Sequence, residues 1–264
     1  MILSKTRSTL AALSLSFLLP LSVDATVVEI RSSLGDIQVN LFDNATPATV
    51  ANFLSYVSSG AYASNVVHRS VSGFIIQGGG FTYTAPINVN SFSLDSIPTG
   101  TPVANDPKFS NLRGTIAMAK TSNPDSATSQ WFINLSNNAN SLDIAENSGG
   151  FTVFGQVMGD GMQVVDAIAA LSLFNGGGAF SELPIQSYTQ TDFDNNVSIT
   201  NDNLAFIADV VITDSTVDTA ANLNPVANTL VNAPTDGGGS DSGGSFGWAL
   251  ALMTLLLVRR KVAA

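Results

Sequence analysis

His68-Arg69-Ser70-Val71-Ser72-Gly73-Phe74-Ile75-Ile76-Gln77-Gly78-Gly79-Gly80-Phe81 is the stretch on which the reading of this chain turns. Short β-rich runs, Val66 to His68 and Phe74 to Gln77, flank a Ser/Gly break, as brief strands do when turn residues punctuate them. The glycines at 78–80 invite comparison with a phosphate loop, but the Lys-Ser/Thr pair that such a loop needs does not follow. His68 is the single histidine of the chain. A lone histidine is most often a satisfied core group, so it reads as a structural hydrogen-bonding residue.

Outward from this stretch the same texture continues. Thr26 to Arg31 alternates apolar and polar residues, Ser33-Leu34-Gly35 makes a turn, and Ile37, Val39 and Leu41 resume the alternation, which predicts a hairpin. A helix follows, with Thr46 as N-cap, Pro47 at its first position and Gly60 at its end. Its apolar face is Val50, Phe53, Leu54 and Val57. Further β-rich runs are Thr115 to Met118, Trp131 to Leu135, Thr152 to Val157 and Phe206 to Thr213. A second helix is expected over Met162 to Leu171, with Met162, Val165, Ile168 and Ala169 facing inward. Ser172 to Leu204 is rich in Gly, Asn and Asp and assigns to no element. Many short strands and two helices predict a mainly β fold, a closed antiparallel barrel capped by helices.

Composition narrows the chemistry. The 264 residues include no cysteine, which removes disulfides, thiol nucleophiles and Cys/His zinc sites. A serine hydrolase would have only His68 as its base. The net charge of −10 argues against nucleic acid as a partner, since phosphate binding needs clustered Lys and Arg. Between Thr26 and Asp236 only Arg31, Arg69, Lys108, Arg113 and Lys120 are basic. Asp192-Phe193-Asp194-Asn195-Asn196 looks like part of a calcium loop, but the full spacing with its terminal Glu is missing.

The two ends read as addresses. Lys5 and Arg7, the apolar run Leu10 to Val23 and the small-residue site Val23-Asp24-Ala25 predict a signal peptide over 1–25, with an N-terminal anchor as the other reading. Residues 216–245 read as a linker whose Asp236 to Ser245 stretch is a flexible Gly/Ser tract. Residues 246–264 read as an apolar helix, Phe246 to Val258, followed by Arg259, Arg260 and Lys261. As a helix the apolar part reaches about 20 Å, short of a bilayer's ~30 Å core. This order resembles the GlyGly-CTERM sorting tails of Gram-negative bacteria, which implies contact with the membrane or a sorting protease and a periplasmic or cell-surface location. A plain tail anchor is the alternative.

Four blocks carry a second resemblance: His68 to Phe81, Gly114 to Ala119, Ser126 to Asn134, and Phe151 to Val157. In this order and spacing they resemble the cyclophilin family of peptidyl-prolyl cis-trans isomerases, over about Thr26 to Thr213, within a domain spanning 26–215. The resemblance implies an eight-stranded barrel, no cofactor, a monomer, and proline-containing polypeptides as partners. It also implies that Arg69 is the catalytic arginine and that Phe74, Ile75, Phe132 and Leu142 line the proline pocket. Gln77 would bond the substrate backbone. Gln130 and the main chain at Ala119 and Lys120 would complete the groove. Phe151, where the family often has His or Tyr, would keep an apolar wall. Ser141 precedes Leu142 where many members carry an aromatic, which implies weak binding of cyclosporin-type ligands.

The chemistry suits these residue types. Rotation about an X–Pro amide breaks no bond, and the general amide barrier is ~18–20 kcal/mol. A dry slot for the proline ring helps, as does a donor aimed at the prolyl nitrogen, whose lone pair is freed only in the twisted state. Arginine, always charged and planar, is such a donor. The expectation is an isomerase acting on exported proteins, with a surface-displayed proline-peptide binding module of little turnover as the competing reading.

Overall fold

The computed structural model describes residues 26–215 and 223–233. The expected signal peptide, the Gly/Ser tract and the C-terminal apolar tail lie outside the described residues. Strand β1 (Val27–Ser32) and strand β2 (Gly35–Leu41) form the expected hairpin, in register from Val27 opposite Asn40 to Ser32 opposite Gly35. Alternation decides which face is buried: Val28, Ile30, Ile37 and Val39 all point into the main core.

Helix α1 (Pro47–Ser58) begins where proline predicts, but the Thr46 hydroxyl does not cap it and instead donates to the Phe42 carbonyl. Its other end is a Schellman turn. Ala61 N–H bonds the Tyr56 carbonyl and Gly60 N–H bonds that of Val57, with Gly60 at φ +71°. Val50, Phe53, Tyr56 and Val57 are buried, whereas Leu54 is only half-buried.

The remaining strands are short. They are β3 (Asn65–Val66), β4 (Arg69–Val71), β5 (Ile75–Gly78), β6 (Phe81–Thr82), β7 (Asp95–Ser96), β8 (Thr115–Met118) and β9 (Trp131–Asn134). After the short helix α2 (Ala139–Leu142) come β10 (Val153–Val157) and helix α3 (Gly161–Ala169). The segment 172–204, unassigned from sequence, holds β11 (Ser172–Phe174), β12 (Leu183–Ile185) and helix α4 (Gln190–Asp194) before the long β13 (Phe206–Asp214). Asp192 of the calcium-loop fragment serves α4 as a capping box with Thr189.

The fold is mainly β, as expected, but the closed eight-stranded ladder with two helices needs correction. The strands form one curled antiparallel sheet of eleven, in the order β4-β5-β9-β8-β10-β2-β1-β13-β3-β6-β7, with β11 and β12 paired separately. The physical reason lies between Val67 and His68. Val67 N–H bonds Ala205 at the β13 side, whereas His68 N–H bonds Gln77 of β5. Sequence reads Val66 to His68 as one run, but its bonds divide there between β13 and β5, Arg69–Val71 forms a further strand, and β6 and β7 extend the sheet beyond it. The helices number four among the described residues, α2 and α4 being a turn or so each.

The glycines at 78–80 are required by packing. A Cβ on Gly78 would lie 2.9 Å from the Trp131 ring, and one on Gly80 would lie 2.8 Å from the Gln130 side chain. At Gly79, with φ +77°, it would stand 2.6 Å from the Ser129 carbonyl. The backbone here passes too close to β9 for any side chain. Gly79→Ala is expected to destabilise the fold by about 2–4 kcal/mol through strain and overpacking. Urea unfolding would show this as a lower midpoint with an unchanged slope.

Candidate active site

Register builds the site. Along one face of the sheet, Arg69 stands opposite Gln77, Gln77 opposite Phe132, Phe132 opposite Ala117, and Ala117 opposite Val153. At roughly 4.8 Å between strands, the guanidinium strand is about 10 Å from the one that carries Phe132. The neighbouring row is Val71, Ile75 and Asn134. Residues between these rows, Ile76, Ile116 and Ile133, point to the opposite face and join the main core. Period two therefore separates the stabilising face from the one bearing polar groups.

All ten residues expected at the site gather on this face. Ile75, Ala119, Phe132, Leu142 and Phe151 belong to one apolar cluster with Phe42, Ala117 and Val153. Ile75, Phe132, Leu142 and Phe151 have no exposed surface, so they form a floor, while the half-buried Phe74 and Val71 pack against it as a rim. The Phe132 and Phe151 rings meet edge to face at 5.8 Å. Gln77 donates through Nε2 to Oε1 of Gln130 at 2.8 Å, and its own Oε1 is buried without a hydrogen-bond partner among the described residues. Ala119 N–H is taken by the Gln130 carbonyl. Ser141 precedes Leu142 in α2 and accepts through its carbonyl from the Asn147 side chain.

Arg69 is held at one side only. Its Nε donates to Glu182 Oε2 at 2.8 Å, and its side chain is 13% exposed. Nη1 is buried and has no hydrogen-bond partner among the described residues. The neighbouring His68 lies edge-on to Phe81, with ring centroids 4.8 Å apart. Burial pushes its pKa down to about 3, and the Arg69 charge adds to this, so the imidazole stays neutral at ordinary pH.

Lys120 departs from expectation. Only its main chain was assigned to the groove, yet its side chain turns inward. Nζ bonds the Ser148 carbonyl at 2.7 Å and lies 4.2 Å from the Phe151 ring centroid. Desolvation lowers its pKa to about 8, against the attraction of Asp125.

Sequence reasoning missed the polar scaffold beneath the cluster. Asn138 donates to the Phe74 carbonyl at 2.8 Å and to Asn134 Oδ1 at 2.7 Å. Asn134 in turn donates to Asn111 and to the Thr115 hydroxyl. Asn111 donates to Asp143 Oδ1 and to the Phe151 carbonyl. These bonds join the segments that bear Phe74, Leu142 and Phe151. The available signal was an asparagine closing the apolar run Trp131 to Asn134 and another opening α2. Glu182, in a chain rich in carboxylates, gave no such signal.

The curled antiparallel sheet thus sets Arg69 at one end of a row that leads to an apolar floor. The family model for "Cyclophilin type peptidyl-prolyl cis-trans isomerase/CLD" matches residues 27–190. The chain belongs to this family. It is 42% identical to a peptidyl-prolyl cis-trans isomerase of Acinetobacter baylyi over 54% of this chain and 72% of that protein. It is 43% identical to peptidyl-prolyl cis-trans isomerase A of Dickeya dadantii over 58% of this chain and 76% of that protein. The fold matches the crystal structure of a cyclophilin type isomerase from Cryptosporidium parvum with a TM-score of 0.50 and 23% identity, covering 72% of this chain and 99% of the other.

Lys120 makes stability depend on pH. Its folded pKa, about 8, lies below the ordinary 10.5, so between these values the unfolded chain binds more protons than the folded one. Stability therefore rises with pH through that window, and the cost of the buried charge is fully present below it. The urea midpoint is expected to be higher at pH 10 than at pH 7.5 once the same difference for Lys120→Met, which lacks the titrating group, is subtracted.

Proposed function

We propose that this chain accelerates cis-trans isomerisation of X–Pro bonds in exported polypeptides, with Arg69 as the catalytic donor. The observation that carries the reading is the placement of Arg69, its guanidinium held at Nε by Glu182, beside Gln77 in the row leading to Phe132. The proline ring is placed against the half-buried Phe74 and Val71, above the floor of Ile75, Phe132 and Leu142. The chain of the substrate runs extended past Gln77 and the Ala119 carbonyl, since the Ala119 N–H is already used.

Catalysis then follows from what changes during rotation. In the planar amide the prolyl nitrogen has no lone pair to offer. In the twisted state it becomes an acceptor, so a guanidinium N–H donor held at the site binds that state better than the ground state. The dry floor strengthens the contact, because no water competes for the guanidinium. Proton transfer plays no part. With His68 neutral and Arg69 always charged, kcat/KM is expected to stay flat from pH 5 to 7. A bell-shaped profile in that range would contradict the scheme.

Several finer points belong to the same reading. The chain works as a monomer on proline-containing polypeptides. Its expected signal peptide and its short apolar tail with Arg259, Arg260 and Lys261 support action in the periplasm or at the cell surface. Among the described residues no helix is long and apolar enough to cross a membrane. Mass spectrometry of both mature termini in fractionated cells tests the location; an intact, cytosolic chain would refute it.

The competing reading, a proline-peptide binding module with little turnover, draws on the fully buried floor and on Ser141 in place of an aromatic. NMR exchange spectroscopy on a short Pro peptide separates the two, because a binding module saturates without speeding exchange. In the same assay Arg69→Ala is expected to lower kcat/KM by about a hundredfold while the protein remains folded, the scale on which a transition-state donor acts. Unchanged turnover would remove Arg69 from the mechanism.

A further inference from the structure

Segment 172–204 had no role in the sequence, yet it supplies the group that touches Arg69. Glu182 lies directly before β12 and meets β4 twice. Its carbonyl accepts from Ser70 N–H at 2.8 Å, and its carboxylate accepts from Arg69 Nε at 2.8 Å. The main-chain bond fixes where Glu182 stands, and the side-chain bond fixes how the guanidinium is turned.

The support for Glu182 is itself rigid. Leu183 and Ile185 are buried in a second cluster with Val66, Phe81, Ile199 and Leu204. Ile185 bridges to Leu204, and Gln186 N–H bonds the Asn203 carbonyl. Behind β12, then, stands packed structure, even though much of the segment is polar and exposed. Arg69, by contrast, sits on the end strand of the sheet. An arginine side chain carries about 2 kcal/mol of rotamer entropy, so an edge arginine without a partner would sample many orientations.

Which atom the carboxylate takes matters. An acid bonded to the outer nitrogens of Arg69 would occupy the donors that a substrate needs. Bonded at Nε, it turns the plane of the guanidinium and leaves Nη1 without a partner among the described residues. We propose that Glu182 is a positioning residue for the isomerase reaction: by accepting from Nε it fixes the plane in which the Arg69 guanidinium meets the prolyl nitrogen. The inference rests on the reading of Arg69 as the donor. It gives part of segment 172–204 a purpose in the chemistry of the neighbouring strand, although Glu182 itself touches no substrate.

A surface ion pair with no catalytic role would leave turnover alone. The test compares Glu182→Ala, Glu182→Gln, Arg69→Ala and the Arg69→Ala/Glu182→Ala pair in the full chain. Exchange rates on a short Pro peptide give kcat and KM separately, and thermal unfolding checks the fold of each variant. Glu182→Ala is expected to lower kcat roughly tenfold with KM within about twofold, the signature of lost orientation in the transition state. Glu182→Gln keeps an acceptor for Nε and should regain at least half of the wild-type kcat. It also serves as the test if the alanine variant does not fold. The double variant should be no slower than Arg69→Ala alone, since there is then nothing left to orient. The inference is overturned if Glu182→Ala turns over at the wild-type rate while Arg69→Ala is slow, if only KM changes, or if the two effects multiply. If Arg69→Ala itself is fully active, the donor reading fails instead, and the positioning role goes with it.

Discussion

The strand register from β4 to β10 is the constraint on which the molecule depends. It lays Arg69, Gln77, Phe132, Ala117 and Val153 in one line across five strands. Side chains alternate between faces with a period of two, so a slip of one residue between β4 and β5 would send Arg69 toward the main core and bring Ser70 out. The glycines at 78–80 hold the next register, β5 against β9, because only one alignment brings their bare backbone against Trp131 and Gln130. A feature that first suggests phosphate binding is in fact a tight seam between strands.

Around that line the protein solves two opposed problems. The floor is dry, yet its walls come from separate segments that need fixing. The bonds from Asn111, Asn134 and Asn138 do the fixing from below, reaching the main chain at Phe74 and Phe151 and the side chain of Asp143 beside Leu142. Networks of this kind rigidify when their bonds are met and are costly when they are not. Lys120 is the other compromise. Its ammonium gives up hydration for one carbonyl and the face of Phe151, where an uncharged side chain would have been easier to bury.

Local signals in the sequence were legible wherever local chemistry decided the outcome. Pro47 and Gly60 bracket α1 because proline suits a helix start and a left-handed residue suits its end. The alternation in 27–41 specified the hairpin for the same reason. Arg69 stood out because cations are scarce and its motif is dense. What stayed hidden was non-local. Nothing in Val67-His68 announces that one run will serve two partners, since that depends on where β13 and β5 lie. Glu182 is 113 positions from Arg69, and one carboxylate among many carries no mark of its contact. The inward turn of Lys120 needed Phe151 and Ser148 to be already in place.

Residues 223–233 lie beyond β13, in the span expected as linker, yet they run along the domain. Ala227 bridges to Phe109, Ser110 N–H bonds the Val226 carbonyl, and Asn228 N–H bonds that of Lys108. Leu223 packs against the cluster that holds Phe132, and the Asn228 amide grips the carbonyl of Asp143, the residue after Leu142. Asn228 thus ties the last described segment to the residue after Leu142, so loosening that segment would loosen one wall of the apolar floor with it.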